Sequence, residues 1–197
     1  MSKVVTNSVV LGQSGTASNN FLLDTDAAGA LRIRRNADGS GGSVLTVNSA
    51  GTLVQPAQSM VRLDTSNGYG STNTQIRRFV NVRTNQGSDI TYADSATLGG
   101  SFTINTAGVY AISYSDSFGV AGYFGISLST TQPTIAIQSI STTDRACMGG
   151  TNGASQIAST GVTLYLAAGV VIRAHADSAN GTTSAPDRCH FAIVRVA

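Results

Sequence analysis

The chain has 197 residues and a mass of 20.1 kDa, enough for one substantial domain with a smaller appendage, and its formal net charge is only +2. With 11% charged residues it lacks the dense Lys/Arg stripe that a phosphate backbone requires, so no nucleic-acid partner is expected. All ten acidic residues are Asp, Lys3 is the sole lysine, and Ser, Thr, Gly and Asn are abundant; straight-chain helix formers are scarce and an all-β fold is predicted.

Up to Val54 the chain is a series of short strand-like pieces separated by turn chemistry: Val9 to Leu11, Phe21 to Leu23, Leu31 to Ile33, Val44 to Val47 and Leu53 to Val54. Asp26-Ala27-Ala28-Gly29-Ala30-Leu31 recurs as Asn48-Ser49-Ala50-Gly51-Thr52-Leu53, a turn-then-strand unit used twice. The run from Asn36 to Gly42 is a turn; it lacks the spacing and terminal Glu of a calcium loop. Asp24 and Asp26 share a face of an extended segment, as a glycosidase carboxylate pair would, but turn capping is the expected role of both. So few large apolar residues cannot make a core, and residues 1–54 are expected to be an anchor or shaft ordered against other chains. Residues 55–59, with Pro56, form the predicted linker.

Residues 60–197 form the predicted main domain, with longer strands and stronger alternation. Strands are expected at Ile76 to Arg83 and Ile90 to Tyr92, followed by two alternating strands within Ser101 to Ser115. These two are predicted to pair as a hairpin through a tight turn from Asn105 to Gly108, with Gly108 at positive φ. Tyr123 to Ser129 carries Phe124, Ile126 and Leu128 on one face, and Ile135 with Ile137 suggests a further strand. Thr142 to Ser159 reads as a polar excursion. Val162 to Leu166 and Val170 to Ala176 alternate on either side of an Ala167-Ala168-Gly169 turn, and a loop from Asp177 to Pro186 leads to the closing strand, His190 to Val196. About eight to ten strands with no helix between them make a two-sheet antiparallel jelly roll.

No constellation carries chemistry. Cys147 and Cys189 lie far apart without CxxC spacing and are expected to stay reduced, in a chain that has no signal peptide or apolar run of membrane length and is expected to fold in a cytoplasm. His175 and His190 have no Cys or carboxylate at metal-ligand spacing and are expected to be packing or interface residues. Cys189 and His190 are neighbours on a strand and diverge, so they cannot share a proton. Arg34-Arg35 and Arg77-Arg78 are expected to be solvated or at an interface. No catalytic residue, cofactor or metal site is predicted, and the chain is read as a non-enzyme.

Taken in order, several phrases resemble the C1q/TNF-like jelly-roll domain: Phe79 and Val82; Asn85-Gln86-Gly87-Ser88-Asp89 with Tyr92; Gly100-Ser101-Phe102-Thr103 running into Ala107-Gly108-Val109-Tyr110-Ala111-Ile112-Ser113-Tyr114; Val162 to Ile172; and Phe191 to Val196. Val170 stands where that family usually has Asp, and no collagen repeat precedes the domain. The first part, with Asn19-Asn20-Phe21 and the phrase from Leu45 to Val54, is similar to shaft or anchor sequences of bacteriophage structural proteins. The combined resemblance implies a homotrimer, with Phe102, Gly108, Tyr110, Tyr114 and Phe191 as structural or trimer-interface candidates. It further implies a phage virion protein assembled in the host cytoplasm. Such a protein would be a fibre- or spike-like appendage, bound to other virion proteins through its N-terminal segment and offering its head to a host-surface glycan or protein. A capsid or tail decoration (cement) protein is the alternative, and a polysaccharide-degrading enzyme a distant third. Loops Asp116 to Tyr123, Thr142 to Ser159 and Asp177 to Pro186 are the candidate glycan contacts.

Overall fold

The computed structural model describes residues 8–11, 21–25, 27, 29–35, 43–47, 49–51, 53–54, 58–153, 156–177 and 186–196. The chain divides into two compact units, Met1–Ala57 and Gln58–Ala197.

In the first unit five short strands, β1 (Ser8–Leu11), β2 (Phe21–Thr25), β3 (Leu31–Arg35), β4 (Ser43–Val47) and β5 (Leu53–Val54), form an antiparallel meander in sequence order. Leu22 and Ala30 are its buried apolar residues among those described. Asp24, expected to cap a turn, lies mid-strand opposite Arg32, whose Nε donates to its Oδ1 at 3.1 Å; Arg34 Nε stands 3.3 Å from Oδ2. Asp24 and both arginines share one face of the meander, as period-two alternation requires. Asp26, the Asn36–Gly42 turn and residues 55–57 of the linker lie outside the described residues. Ser59, assigned to the linker on sequence, belongs to the second unit: it is buried, and its hydroxyl donates to Asp89 Oδ2 at 2.9 Å.

The second unit is a two-sheet antiparallel jelly roll of ten strands: β6 (Met60–Tyr69), β7 (Arg77–Gln86), β8 (Ile90–Ala93), β9 (Ser101–Ile104), β10 (Gly108–Phe118), β11 (Gly122–Leu128), β12 (Arg145–Thr151), β13 (Gln156–Leu166), β14 (Val171–Ala176) and β15 (His190–Arg195). One sheet has the order β13-β10-β15-β6-β7, the other β12-β11-β14-β9-β8. Each long strand buries alternate side chains between the sheets. Phe102 of β9 stacks on Phe191 of β15 with centroids 4.3 Å apart and 18° between planes, and Tyr114 of β10 meets Phe124 of β11 edge-on at 5.3 Å.

The hairpin expected within Ser101 to Ser115 does not exist. β9 pairs with β8 and β14 in one sheet, β10 with β13 and β15 in the other, and Asn105 to Ala107 carry the chain across the sandwich. Both strands alternate because both face the same core from opposite sides, which the period of two cannot distinguish from side-by-side pairing. Gly108 is buried as the first residue of β10 and is absent from the positive-φ glycines, so it is not the turn residue. The crossing is instead pinned by Asn105, whose backbone N–H donates to Asp89 O at 2.7 Å and whose side-chain amide donates to Ser88 O and Thr91 Oγ1. β13 and β14 also belong to different sheets; there the turn glycine is as expected, Gly169 having φ +88°.

Ile135 and Ile137 do not form a strand. Ile137 opens a 3-10 turn, Ile137–Ser139, and is fully buried with Ile140, while Ile135 stays 40% exposed. The polar stretch from Thr142 to Ser159 contains β12 and the start of β13; with Gly149, Gly150 and Gly153 it looks like loop, but its ladders supply the order.

Candidate functional site

The face of the β13-β10-β15-β6-β7 sheet turned away from the core is built in three cross-strand rows. Residues directly opposite one another across a ladder share a face, so Thr163, Ala111, Val194, Met60 and Gln86 form one row. Gly161, Ser113, Ala192, Arg62 and Thr84 form the next, and Ser159, Ser115, His190, Asp64 and Asn81 the third. The centre is thus made of Ala, Ser, Val and Gly, small enough for another backbone to approach closely. A shallow depression of about 250 Å³ opens there between Arg62, Ser113, Ser115, Ser159 and His190. At the β13 edge, Tyr165 is 67% and Ile157 58% exposed.

Asp64 closes the polar end of this face. Arg83 Nε donates to its Oδ2 at 2.6 Å, and Asn81 Nδ2 and Thr65 Oγ1 donate to Oδ1 at 2.8 and 3.0 Å. The bonds from Arg83 and Asn81 hold the Asp64 carboxyl well below the usual carboxylate range.

Beneath the same sheet is a buried polar cluster. Arg77 Nη2 donates to Asp116 Oδ1 at 2.7 Å, with both side chains 1% exposed. Tyr114 Oη donates to Asp116 Oδ2 at 2.8 Å, the Ser117 N–H to Oδ1 at 2.8 Å, and the guanidinium lies 4.7 Å from the centre of the Tyr69 ring. Burial pushes the Tyr114 phenol and the Cys189 thiol well up, with the Asp116 charge acting the same way. The expectation that Arg77 is solvated is therefore overturned: it faces inward, where Asp116 compensates its charge, while Arg78 alternates outward to Asp94 at 2.7 Å. Asp116, assigned to a loop on sequence, is the inward residue that makes this possible.

The five structural or trimer-interface candidates sit inside the subunit, in a structural position. Phe102, Tyr110, Tyr114 and Phe191 are each at most 1% exposed in the single chain, and Gly108 is buried with them. Their faces are already occupied across the sandwich and cannot also line an axis between subunits; the residues alternating with them on β10 and β15 do face outward. Outward positions such as Ala111, Ser113 and Ala192 were missed because small residues give no amphipathic signal. Opposing them through the ladder register is what reveals the face.

His175 is fully buried on the second sheet, its Nε2 2.7 Å from Ile135 O and its Nδ1 without a hydrogen-bond partner. Burial pushes its pKa down. It serves as a packing residue that ties down the segment between β11 and β12; Arg145 Nη1 holds the same segment through Ile137 O and Gln138 O. His190 instead lies exposed on the outward face of the other sheet. Cys147 and Cys189 are unbridged. Among the described residues no group of three His, Cys, Asp or Glu side chains is placed to hold a metal ion, and no helix is long and apolar enough to cross a membrane.

No protein-family profile matches the chain, and no curated protein sequence does. Among solved structures, that of murine APRIL is similar at 12% identity and a TM-score of 0.49, covering 71% of this chain and 99% of that one. The jelly-roll assignment rests on the strand order above rather than on this likeness.

Proposed function

We propose that the chain is a phage virion structural protein without enzymatic activity, a trimeric fibre- or spike-like appendage. Its N-terminal segment attaches to other virion proteins and its jelly roll is the exposed, host-facing head. The observation that carries the assembly half is the three-row outward face of the β13-β10-β15-β6-β7 sheet, made at its centre of small side chains (Ala, Ser, Val and Gly) and bordered by the exposed Tyr165 and Ile157. An isolated subunit would leave that face wet, whereas identical copies closing around an axis bury it with Arg62 as the arginine in its central row. The virion half is supported by the sequence resemblance of residues 1–54 to phage shaft segments.

Deletion separates the two halves. Removal of residues 1–54 is expected to yield a soluble trimer, measured by light scattering, that is missing from purified particles. Particles carrying a chain without residues 60–197 are expected to assemble and resist heat normally but adsorb poorly to cells. Fragile particles with normal adsorption would replace this reading with a cement role, and incorporation of the isolated head would reverse the assignment of anchor and head.

A further inference from the structure

The depression on the outward face of the β13-β10-β15-β6-β7 sheet has a floor that the backbone keeps open. Ser113 lies between Gly161 of β13 and Ala192 of β15, and a Cβ on Gly161 would stand 2.8 Å from Ile112 O, so no side chain fits there without moving the ladder. Ser115 and Ser159 stand opposite each other beside this floor, His190 flanks Ser115 on its other side, and Arg62 lies across from Ala192.

Every polar side chain lining the outward surface of the depression can donate. Arg62 offers a guanidinium fork, Ser113, Ser115 and Ser159 their hydroxyls, and His190 a ring N–H in either tautomer. None of these side chains is engaged in a hydrogen bond or ion pair among the described residues. No carboxylate lines the depression, and Asp64, opposite His190 in the ladder, is already committed to Arg83, Asn81 and Thr65. Covering the face takes the Arg62 guanidinium out of water, and a buried cation without a counter-charge is strongly unfavourable. The three rows of a second copy bring no carboxylate other than the same, committed Asp64.

We infer that this depression holds a small free oxyanion of the sulfate or phosphate class, enclosed when copies of the chain close over the face. Its oxygens accept from the Arg62 fork and from the serine hydroxyls, and its charge compensates the arginine. A halide brings the charge without several acceptor atoms, and a cation or a neutral donor meets only donors. The inference rests on reading this face as the assembly face and adds the ligand that allows it to close.

The test is calorimetric titration of the full-length protein, in a chloride buffer free of oxyanions, with sodium sulfate and with inorganic phosphate at constant ionic strength, paired with light scattering on the same samples. Either ion should bind with a Kd of about a millimolar or tighter and should lower the protein concentration at which trimers dissociate. Arg62→Gln should weaken binding by about tenfold or more, and its trimers should no longer depend on the oxyanion, because no charge is left to compensate. Arg62→Lys, which keeps the charge and loses the fork, should retain the dependence with weaker binding. Glucose 6-sulfate should bind about tenfold less tightly than sulfate or worse, since a covered depression has no room for its sugar. Equal binding of glucose 6-sulfate, no binding of either inorganic ion, or binding and stabilisation unchanged in Arg62→Gln would each overturn the inference. Light scattering separates it from the reading it rests on: wild-type trimers indifferent to oxyanion overturn the ion site alone, whereas a wild-type monomer in every buffer overturns the assembly face and the enclosed ion with it.

Discussion

The Arg77 guanidinium and the Asp116 carboxylate meet at 2.7 Å in the interior of the jelly roll, each 1% exposed, on strands of the same sheet that are not neighbours. Removing one partner leaves the other charge buried and uncompensated. Arg77→Met and Asp116→Leu as single changes are each expected to destabilise the second unit by about 3 to 5 kcal/mol. The double change should cost less than the sum of the two. Urea denaturation of all four proteins measures this, and additive losses would mean that the pair is not coupled.

Strain in the crossings between the sheets belongs at Gly169 rather than Gly108. Gly169 has φ +88° with nothing within 4 Å of an added Cβ, so a substitution there meets only the backbone penalty. Gly169→Ala is expected to cost about 1 to 3 kcal/mol, read from the urea midpoint. A midpoint unchanged from wild type would show that the connection adopts another conformation.

His175 is neutral and buried, with burial holding its pKa below the usual 6.5. Between that lowered value and 6.5 the unfolded chain binds more protons than the folded one. The contribution of His175 to stability is therefore intact above pH 6.5 and is lost as pH falls below it. Melting temperatures taken at decreasing pH should drop in this window, and the histidine ring signals should include one that titrates below 6.5. A buried histidine titrating above 6.5 would contradict the assignment.

Burial protects both thiols. Cys189 is fully buried with its thiol pushed up by desolvation, and Cys147 is shifted the same way by the same cause. Native protein at neutral pH should react slowly with a thiol reagent, Cys189 more slowly than Cys147, and denaturant should release both. Immediate stoichiometric reaction of Cys189 would place it at the surface.

The outward face can be tested by charge. Ala111→Arg or Ala192→Arg puts a long cation at the centre of the small-residue rows, where an isolated subunit tolerates it and an interface does not. Light scattering should show the variants as folded monomers while wild type is a trimer. A wild-type monomer, or trimers unaffected by either change, would refute the proposed assembly face.

The alternation of Phe102 with Ile104, of Tyr110 with Ile112 and Tyr114, and of Phe124 with Ile126 was enough to establish strands and their buried sides, because a period of two is a local property of the extended backbone. The scarcity of helix formers likewise determined the all-β class. Pairing partners were another matter. Strands β9 and β10 alternate as a hairpin would, yet they belong to opposite sheets, since the same pattern serves any strand with one face on a core. The inward turn of Arg77 depended on Asp116 across the sheet, a contact between residues 39 positions apart that no local pattern encodes. The outward rows were likewise settled by register: Ala111, Ser113 and Ala192 acquire meaning only beside one another. Sequence alone thus determined the all-β class and, where large apolar residues alternate, which residues extend and which side they bury, because those follow from backbone geometry and hydrophobicity; it misplaced Ile135–Ile137 and the Gly-rich stretch from Thr142, where that alternation is missing. Only the tertiary structure decided which strands meet, because pairing is selected by the whole sandwich closing on a single core.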